Sequence, residues 1–339
     1  MRCNVPYDLE LNRVVRIVRS KKARKVLIQL PNGLKQYWNI IVNELTSKTP
    51  HVKYLVSTSS CYGGCDVAEN EARILNADLI IHYGHTRYYR EKFPTIYVKA
   101  KSKLNIKNET YYKLIQSLKQ LKIKNIGLSA TIQHVHLLHR VKKVLEEYGF
   151  KAYIGVSKSK LQVSYSGQVI GCNYTTALAV NKLVDLHLIV SGGYFHAIGL
   201  GISTGKPVIK VDPYTNTVED VSDKVKKVLN IRYGKIMQAL DGRLYAIIVG
   251  SKPGQYRPSL IRSLMKEMKR KSLNYRVMVA GELNDKVLDN IDNDAIDVYV
   301  VTSCPRLAID DLAHYRKPVL TPGETYMILR GNLERYVFP

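Results

Sequence analysis

NIGLSATIQHVHLLHRVKKVLEEYGFKAYIGVS, residues 125–157, carries the plan of the whole chain. NIGLSA (125–130) is an apolar run of strand length, and KAYIGVS (151–157) is another. Between them, HVHLLHRVKKVLEEYG (134–149) sets its apolar residues at helical spacing against Lys and Glu. Strand, covering helix and strand in that order predict a parallel pair joined by a crossover. The pattern continues through QVIGC (168–172), TTALAVNKL (175–183), LHLIVSG (186–192) and PVIKVD (207–212). Upstream the same alternation reads KVLIQL (25–30), a helix over 34–45, YLVST (54–58), a helix over 67–75, LIIHYG (79–84) and TIYVKA (95–100). Downstream it reads LYAIIVG (244–250), RPSLIRSLMKEMKRKS (257–272), YRVMVAGE (275–282), VYVVTS (298–303) and PVLTPGE (318–324). Helices over 104–121 and 221–240 link the units. Val/Ile/Leu strands alternating with helices predict parallel sheets covered on both faces. The expectation is an α/β protein of three pseudo-repeated domains, 1–103, 104–215 and 216–339, each a roughly four-stranded parallel sheet flanked by helices.

The amino terminus has no apolar stretch long enough for a signal peptide. The most membrane-like segment, LHLIVSGGYFHAIGLGI (186–202), carries two histidines and is broken by glycines, so it reads as a buried strand, turn and helix start. A soluble, cytoplasmic protein is expected. Lys and Arg number 52 against 28 Asp and Glu, a formal charge of +24. That excess suits an acidic partner, whether nucleic acid or protein. Runs such as KVKKVL (224–229) and KEMKRK (266–271) also suit a solvated helix surface.

Five cysteines are an odd number for a disulfide framework. Three lie more than 100 residues apart, in YLVSTSSCYGGCD (54–66), YSGQVIGCNY (165–174) and VYVVTSCPRLAIDD (298–311). Zinc fingers need close ligand pairs, which Cys65, Cys172 and Cys304 do not offer. Each follows an apolar run, and function in open α/β sheets gathers at the carboxyl ends of strands. Three such units meeting at one place would supply three thiolates to a soft-metal site and leave one iron of a 4Fe–4S cluster open. Cys61 and Cys65 form C-x-x-x-C, but Ala68 stands where a radical S-adenosylmethionine loop needs its third cysteine. Cys3 is read as incidental. His82, His85, His134 and His136 are candidates for metal ligation, acid–base work or packing at strand ends. Asp66, Asp310 and Asp311 are the acids beside the cysteine motifs and suit either a cationic ligand or a helix start. SGGYFHAIGLG (191–201) could cradle an anion, though it lacks the G-x-G-x-x-G order.

Together, YGGCD (62–66), HYGH (82–85), TIQHVH (131–136), SGQVIGCNY (166–174), FHAIGLG (195–201), VDPYT (211–215), TSCPRLAIDD (302–311) and RKPVLTPGE (316–324) resemble the archaeal diphthamide biosynthesis family, 3-amino-3-carboxypropyl transferases acting on translation elongation factor 2. The resemblance implies a homodimer whose protomers each hold a 4Fe–4S cluster by Cys65, Cys172 and Cys304. S-adenosyl-L-methionine would bind the open iron, with Gln133, His134, Asp212 and Gln255 in its pocket. Reductive cleavage of its Cγ–S bond would deliver the aminocarboxypropyl group to a histidine of the factor. An electron donor is implied but not identified. Three departures stand out: Gly64 where a small residue is usual, the basic and aromatic loop TRYYR (86–90), and the additional thiol of Cys61. The chain runs only to Pro339, so no long carboxyl-terminal extension is expected to take part in recognition. One alternative is a cluster enzyme like quinolinate synthase, which needs no S-adenosylmethionine. Another is a basic nucleic-acid-binding protein with incidental cysteines.

Overall fold

The computed structural model of the chain describes residues 5–158 and 161–338, so Cys3 lies outside the described residues. Three large sheets follow one another along the chain, beside a two-stranded antiparallel pairing of Tyr7–Asp8 with Lys101–Ser102. The first pairs Lys53–Ser57, Lys25–Gln29, Leu79–Tyr83 and Thr95–Val98, in that spatial order and all parallel. The third repeats the scheme with Asn274–Ala280, Leu244–Gly250, Val298–Val301 and Val319–Leu320. The second has Lys151–Ile154, Asn125–Ala130, Leu186–Val190 and Val208–Asp212. Every unit therefore uses the order second, first, third, fourth, with a crossover reversal between its first and third strands. The central strands of each sheet are buried on both faces, while the edge strand Asn274–Ala280 of the third leaves Val277 and Val279 exposed. In the first, Val26, Ile28 and Ile81 belong to one core, while Leu27 and Ile80 meet Val67 and Ala72 on the other side. The second and third sheets divide their side chains in the same way.

A device absent from the hydrophobic pattern repeats with the sheets. The residue before each third strand is an aspartate, and its carboxylate accepts two backbone N–H groups at the start of the first strand. Asp78 takes Arg24 N and Lys25 N at 2.7 and 2.8 Å. Asp185 takes Lys124 N and Asn125 N at 3.1 and 2.8 Å. Asp297 takes Arg243 N and Leu244 N at 2.8 and 2.9 Å. These bonds hold each carboxyl below its ordinary range.

Several expectations change. QVIGC (168–172) is not a strand. It pairs with the second sheet only through an isolated Ala130–Gln168 bridge, because the Gln168 backbone N–H is spent locally, donating to Tyr165 O at 3.1 Å. The helix expected over 34–45 is two, Asn32–Lys35 and Trp38–Lys48. The second sheet gains a fifth strand, Thr217–Asp220, antiparallel to Val208–Asp212. Helices at Leu11–Ser20, Asp285–Ile291 and Pro322–Arg330 complete the covering layers. The segment 186–202 resolves into the strand Leu186–Val190 and the helix Phe195–Thr204. Among the described residues no helix is long and apolar enough to cross a membrane.

Candidate metal centre

The three thiols enter from three loops. Cys65 follows the second strand of the first sheet, Cys172 the second strand of the second sheet, and Cys304 the third strand of the third sheet. The settings are thus similar in kind but not equivalent in topology. The Cys65 loop is fixed from below by Gln29, which donates Nε2 to Asp66 O at 2.7 Å and accepts Ala68 N at 3.0 Å. From the third unit, Lys252 Nζ lies 2.8 Å from Asp66 and 2.6 Å from Glu282. Gly254 lets that unit close in. A Cβ there would sit 2.5 Å from Cys65 O and 2.6 Å from Cys65 Cα. Cys172 sits in a turn closed by Asn173 N donating to Ile170 O at 2.9 Å, with Gly171 leaving room for the Phe195 ring. Leu307 N donates to Cys304 O at 3.1 Å, which opens the helical turn Leu307–Asp311.

The loops converge: Tyr88 of the first unit meets Cys172 at 3.6 Å, and Gln255, 3.7 Å from Cys65, lines one cavity with Cys304. Burial pushes the Cys65 thiol up to about 12, and the thiols of Cys304 and Cys172 push it further the same way. Burial raises Cys304 to about 11, with Cys172 adding to it. Burial also raises Cys172. Deprotonating several neighbouring buried thiols is costly without a compensating cation, and a bound metal supplies that charge.

The TRYYR loop proves to be the clamp between units one and two. Thr86 Oγ1 donates to Gln162 O and accepts Gln168 Nε2, both at 2.8 Å. Gln162 N donates to Arg87 O at 2.9 Å. Tyr88 reaches Cys172, hydroxyl to Sγ 3.6 Å. Tyr89 donates to Glu69 at 2.5 Å. Gly64 belongs to this contact, since a Cβ there would lie 2.2 Å from Thr86 O. Glycine is therefore a spatial requirement at that point. Sequence reasoning missed Tyr88; the one available signal was its place in the TRYYR loop that follows HYGH.

The four expected pocket residues separate into two places. Gln255 is at the centre, its Nε2 3.7 Å from Cys65 Sγ. Gln133 Nε2 donates to Gly84 O at 2.6 Å, across the boundary between units one and two. His134 is buried edge-on to Tyr214, ring centroids 5.2 Å apart, and burial lowers it to about 4. Asp212 accepts Tyr214 N at 2.9 Å and pairs with Lys210. Gln133, His134 and Asp212 therefore line the carboxyl edge of the second sheet and its boundary with the first.

His82, buried, and His85, partly buried, pair beside Cys61. The Gln29 amide orientation makes His82 Nδ1 the donor to Gln29 Oε1, at 2.8 Å, and leaves His82 Nε2 to accept from His85 Nδ1 at 2.9 Å. Burial holds His82 well below its ordinary range and His85 at about 4. The ligand atoms of Cys61, His82 and His85 lie within 4.8 Å of one another, which is single-ion spacing. Cys65, Cys172 and Cys304 are not among the sets that tight in the described residues, and three soft donors from three loops suit a polynuclear cluster. Asp310 and Asp311 accept from Arg306 at 3.2 and 3.3 Å. Beside Cys304 opens a cavity of about 300 Å³ lined by Tyr62, Lys252, Gln255, Glu282, Arg306 and Asp311, among others.

The chain is similar to known proteins along nearly its whole length. The family model described as "Putative diphthamide synthesis protein" matches residues 30–337. A Pyrococcus horikoshii protein named 2-(3-amino-3-carboxypropyl)histidine synthase is 32% identical over 333 residues, covering 98% of this chain and 93% of the relative. A Methanocaldococcus jannaschii protein of the same name is 24% identical, covering 97% and 92%. The crystal structure of Dph2 from Pyrococcus horikoshii with a 4Fe-4S cluster superposes with a TM-score of 0.86 at 30% identity, covering 98% of this chain and 93% of that one. With its three sheets, its three converging thiols and a family match along nearly its whole length, this chain belongs to the diphthamide synthesis protein family.

Proposed function

We propose that the chain is a 2-(3-amino-3-carboxypropyl)histidine synthase. It moves the 3-amino-3-carboxypropyl group of S-adenosyl-L-methionine to a histidine of translation elongation factor 2. Cys65, Cys172 and Cys304 would hold a 4Fe–4S cluster, which when bound supplies the electron for reductive cleavage of the Cγ–S bond. The observation that carries this reading is the meeting of the three units at the thiols: Tyr88 of the first unit lies 3.6 Å from Cys172 of the second, and Gln255 of the third lies 3.7 Å from Cys65 and lines one cavity with Cys304. The neighbouring cavity offers Lys252 and Arg306 for a carboxylate and Glu282 and Asp311 for an ammonium, the two ends of the group to be transferred. Gln255 borders both the cavity and Cys65. Gln133, His134 and Asp212 belong to the same reading, as an outer part of the pocket. So do the three domains with the limits given above, a homodimer, a separate electron donor and a cytoplasmic setting. The excess of basic residues suits approach of an acidic substrate protein.

The test is anaerobic purification with iron and sulfide analysis, comparing wild type with Cys65→Ser, Cys172→Ser and Cys304→Ser. About four irons per protomer, lost in each variant, is the expected result. Reduced with dithionite and given S-adenosylmethionine, the loaded protein should release methylthioadenosine. Release of deoxyadenosine, or no iron after anaerobic reconstitution, overturns the proposal.

A further inference from the structure

Two of the three thiols are met by a side-chain hydrogen-bonding group from a different unit. Cys65, in the first unit, is approached by Gln255 Nε2 of the third at 3.7 Å. Cys172, in the second, is approached by the Tyr88 hydroxyl of the first at 3.6 Å. Cys304 has its own local donor, the backbone N–H of Arg306. The amide of Gln255 can only donate to sulfur through Nε2. The Tyr88 hydroxyl accepts from a protonated Cys172, but a metal-bound thiolate has no proton, so there the hydroxyl must donate.

Both side chains are held in place. Gln255 N donates to Lys252 O at 2.9 Å, and Lys252 is itself paired with Asp66 beside Cys65. Tyr88 lies between Thr86, bonded to Gln162 and Gln168, and Tyr89, bonded to Glu69. Its own Cβ packs where Gly64 has no side chain.

We propose that Tyr88 and Gln255 set the reduction potential of the cluster by donating hydrogen bonds to the Cys172 and Cys65 sulfurs. The inference rests on the cluster reading given above. A donor at a ligand sulfur stabilises the more negative, reduced form over the oxidised one. Removing it therefore moves the one-electron midpoint to a more negative value. Neither group supplies or removes a ligand, so the iron count stays unchanged. Because each donor belongs to a unit other than its sulfur's, the potential also depends on how closely the three units are packed.

The experiment is an anaerobic potentiometric titration followed by EPR, without S-adenosylmethionine, on reconstituted wild type, Tyr88→Phe, Gln255→Leu and the double variant. The phenylalanine keeps the ring and deletes only the hydroxyl. Each single variant should show a more negative midpoint, and the double variant the sum of the two shifts, because the two sulfurs are separate partners. A midpoint is read from whatever clusters are present, so incomplete loading leaves the comparison intact. Iron-loaded variants with the wild-type midpoint overturn the inference. A wild type that takes up no iron overturns the functional reading instead, so the two failures are distinguishable.

Discussion

Gly254 is the point at which the third unit bears on the Cys65 loop, and Gly254→Ala is the sharpest test of how tightly the centre is built. The added Cβ would lie 2.5 Å from Cys65 O and 2.6 Å from Cys65 Cα, with the Tyr89 ring at 2.8 Å. Ordinary contact begins at 3.4 Å, so one side must retreat by roughly 0.8 Å from Cys65 Cα. Two of the three obstacles are backbone, so no side-chain rotation clears them all. Overpacking of this kind costs about 1–3 kcal/mol. The consequence for the metal is larger, because ligand distances tolerate only about ±0.2 Å. The variant should fold with a lowered urea midpoint and, after anaerobic reconstitution, hold markedly less iron than wild type. Gly234→Ala is the control, since a Cβ there meets nothing within 4 Å and the residue lies inside the helix Ser222–Ala239. That change should be neutral or slightly stabilising. Full iron and an unchanged urea midpoint in Gly254→Ala would refute the argument that these two loops are pressed together.

Arg232 and Glu324 are both fully buried, joined at 2.7 and 2.8 Å, and Arg232 also donates to Ala308 O in the turn after Cys304. Arg232→Met should cost about 3–5 kcal/mol by leaving the buried Glu324 carboxylate without its cation, while Arg232→Met with Glu324→Gln, which removes the charge and keeps an acceptor for Thr321 N or the Tyr336 hydroxyl, should recover part of it; equal losses in chemical denaturation of the two variants would contradict this. Thr86→Val strands the Nε2 of buried Gln168 and should cost about 1–3 kcal/mol, seen as faster amide exchange in the 162–173 loop; unchanged exchange would remove the clamp. The carboxyls of Asp78, Asp185 and Asp297 are depressed when folded, so their contribution is complete above the unfolded value of 3.8 and is lost as pH falls below it. Replacing all three with Asn should flatten the acid limb of the stability profile, and an unchanged limb would show that the repeated staple contributes nothing.

Much of the architecture is legible in the residues because it depends on local order. Apolar runs and helical spacing place the four-strand units, and the three cysteines mark their shared edge. What escapes is whatever depends on contact between units. Nothing in HYGHTRYYR says that Thr86 will bond Gln168 or that Tyr88 will reach Cys172, since those partners lie 82 and 84 residues away. QVIGC has a strand's composition, but its pairing beside Ala130 stops at Gln168, whose backbone N–H turns back to Tyr165 O, so the segment runs as a loop that presents Cys172. The aspartate staple was readable and overlooked. NADLII (76–81), LVDLHL (183–188) and AIDVYV (295–300) repeat the same residue before the same strand, a signal of polar type rather than hydrophobic period.

The pseudo-repeat explains why one side of the centre is open. Perfect threefold symmetry would bring each thiol from the same crossover, with equivalent loops on all sides. Here Cys65 and Cys172 leave from second strands and Cys304 from a third. The TRYYR loop of the first unit can then cover Cys172, and the Lys252–Gln255 turn of the third unit can cover Cys65. Cys304 is followed directly by its helical turn, and no equivalent loop from the second unit bonds to it among the described hydrogen bonds. Its free flank is the cavity between Arg306, Asp311, Glu282 and Tyr62. Three units supply three sulfurs; the second meets the Cys304 turn through the Phe195 ring, 5.3 Å from the Arg306 guanidinium, and the cavity of about 300 Å³ opens on the other flank.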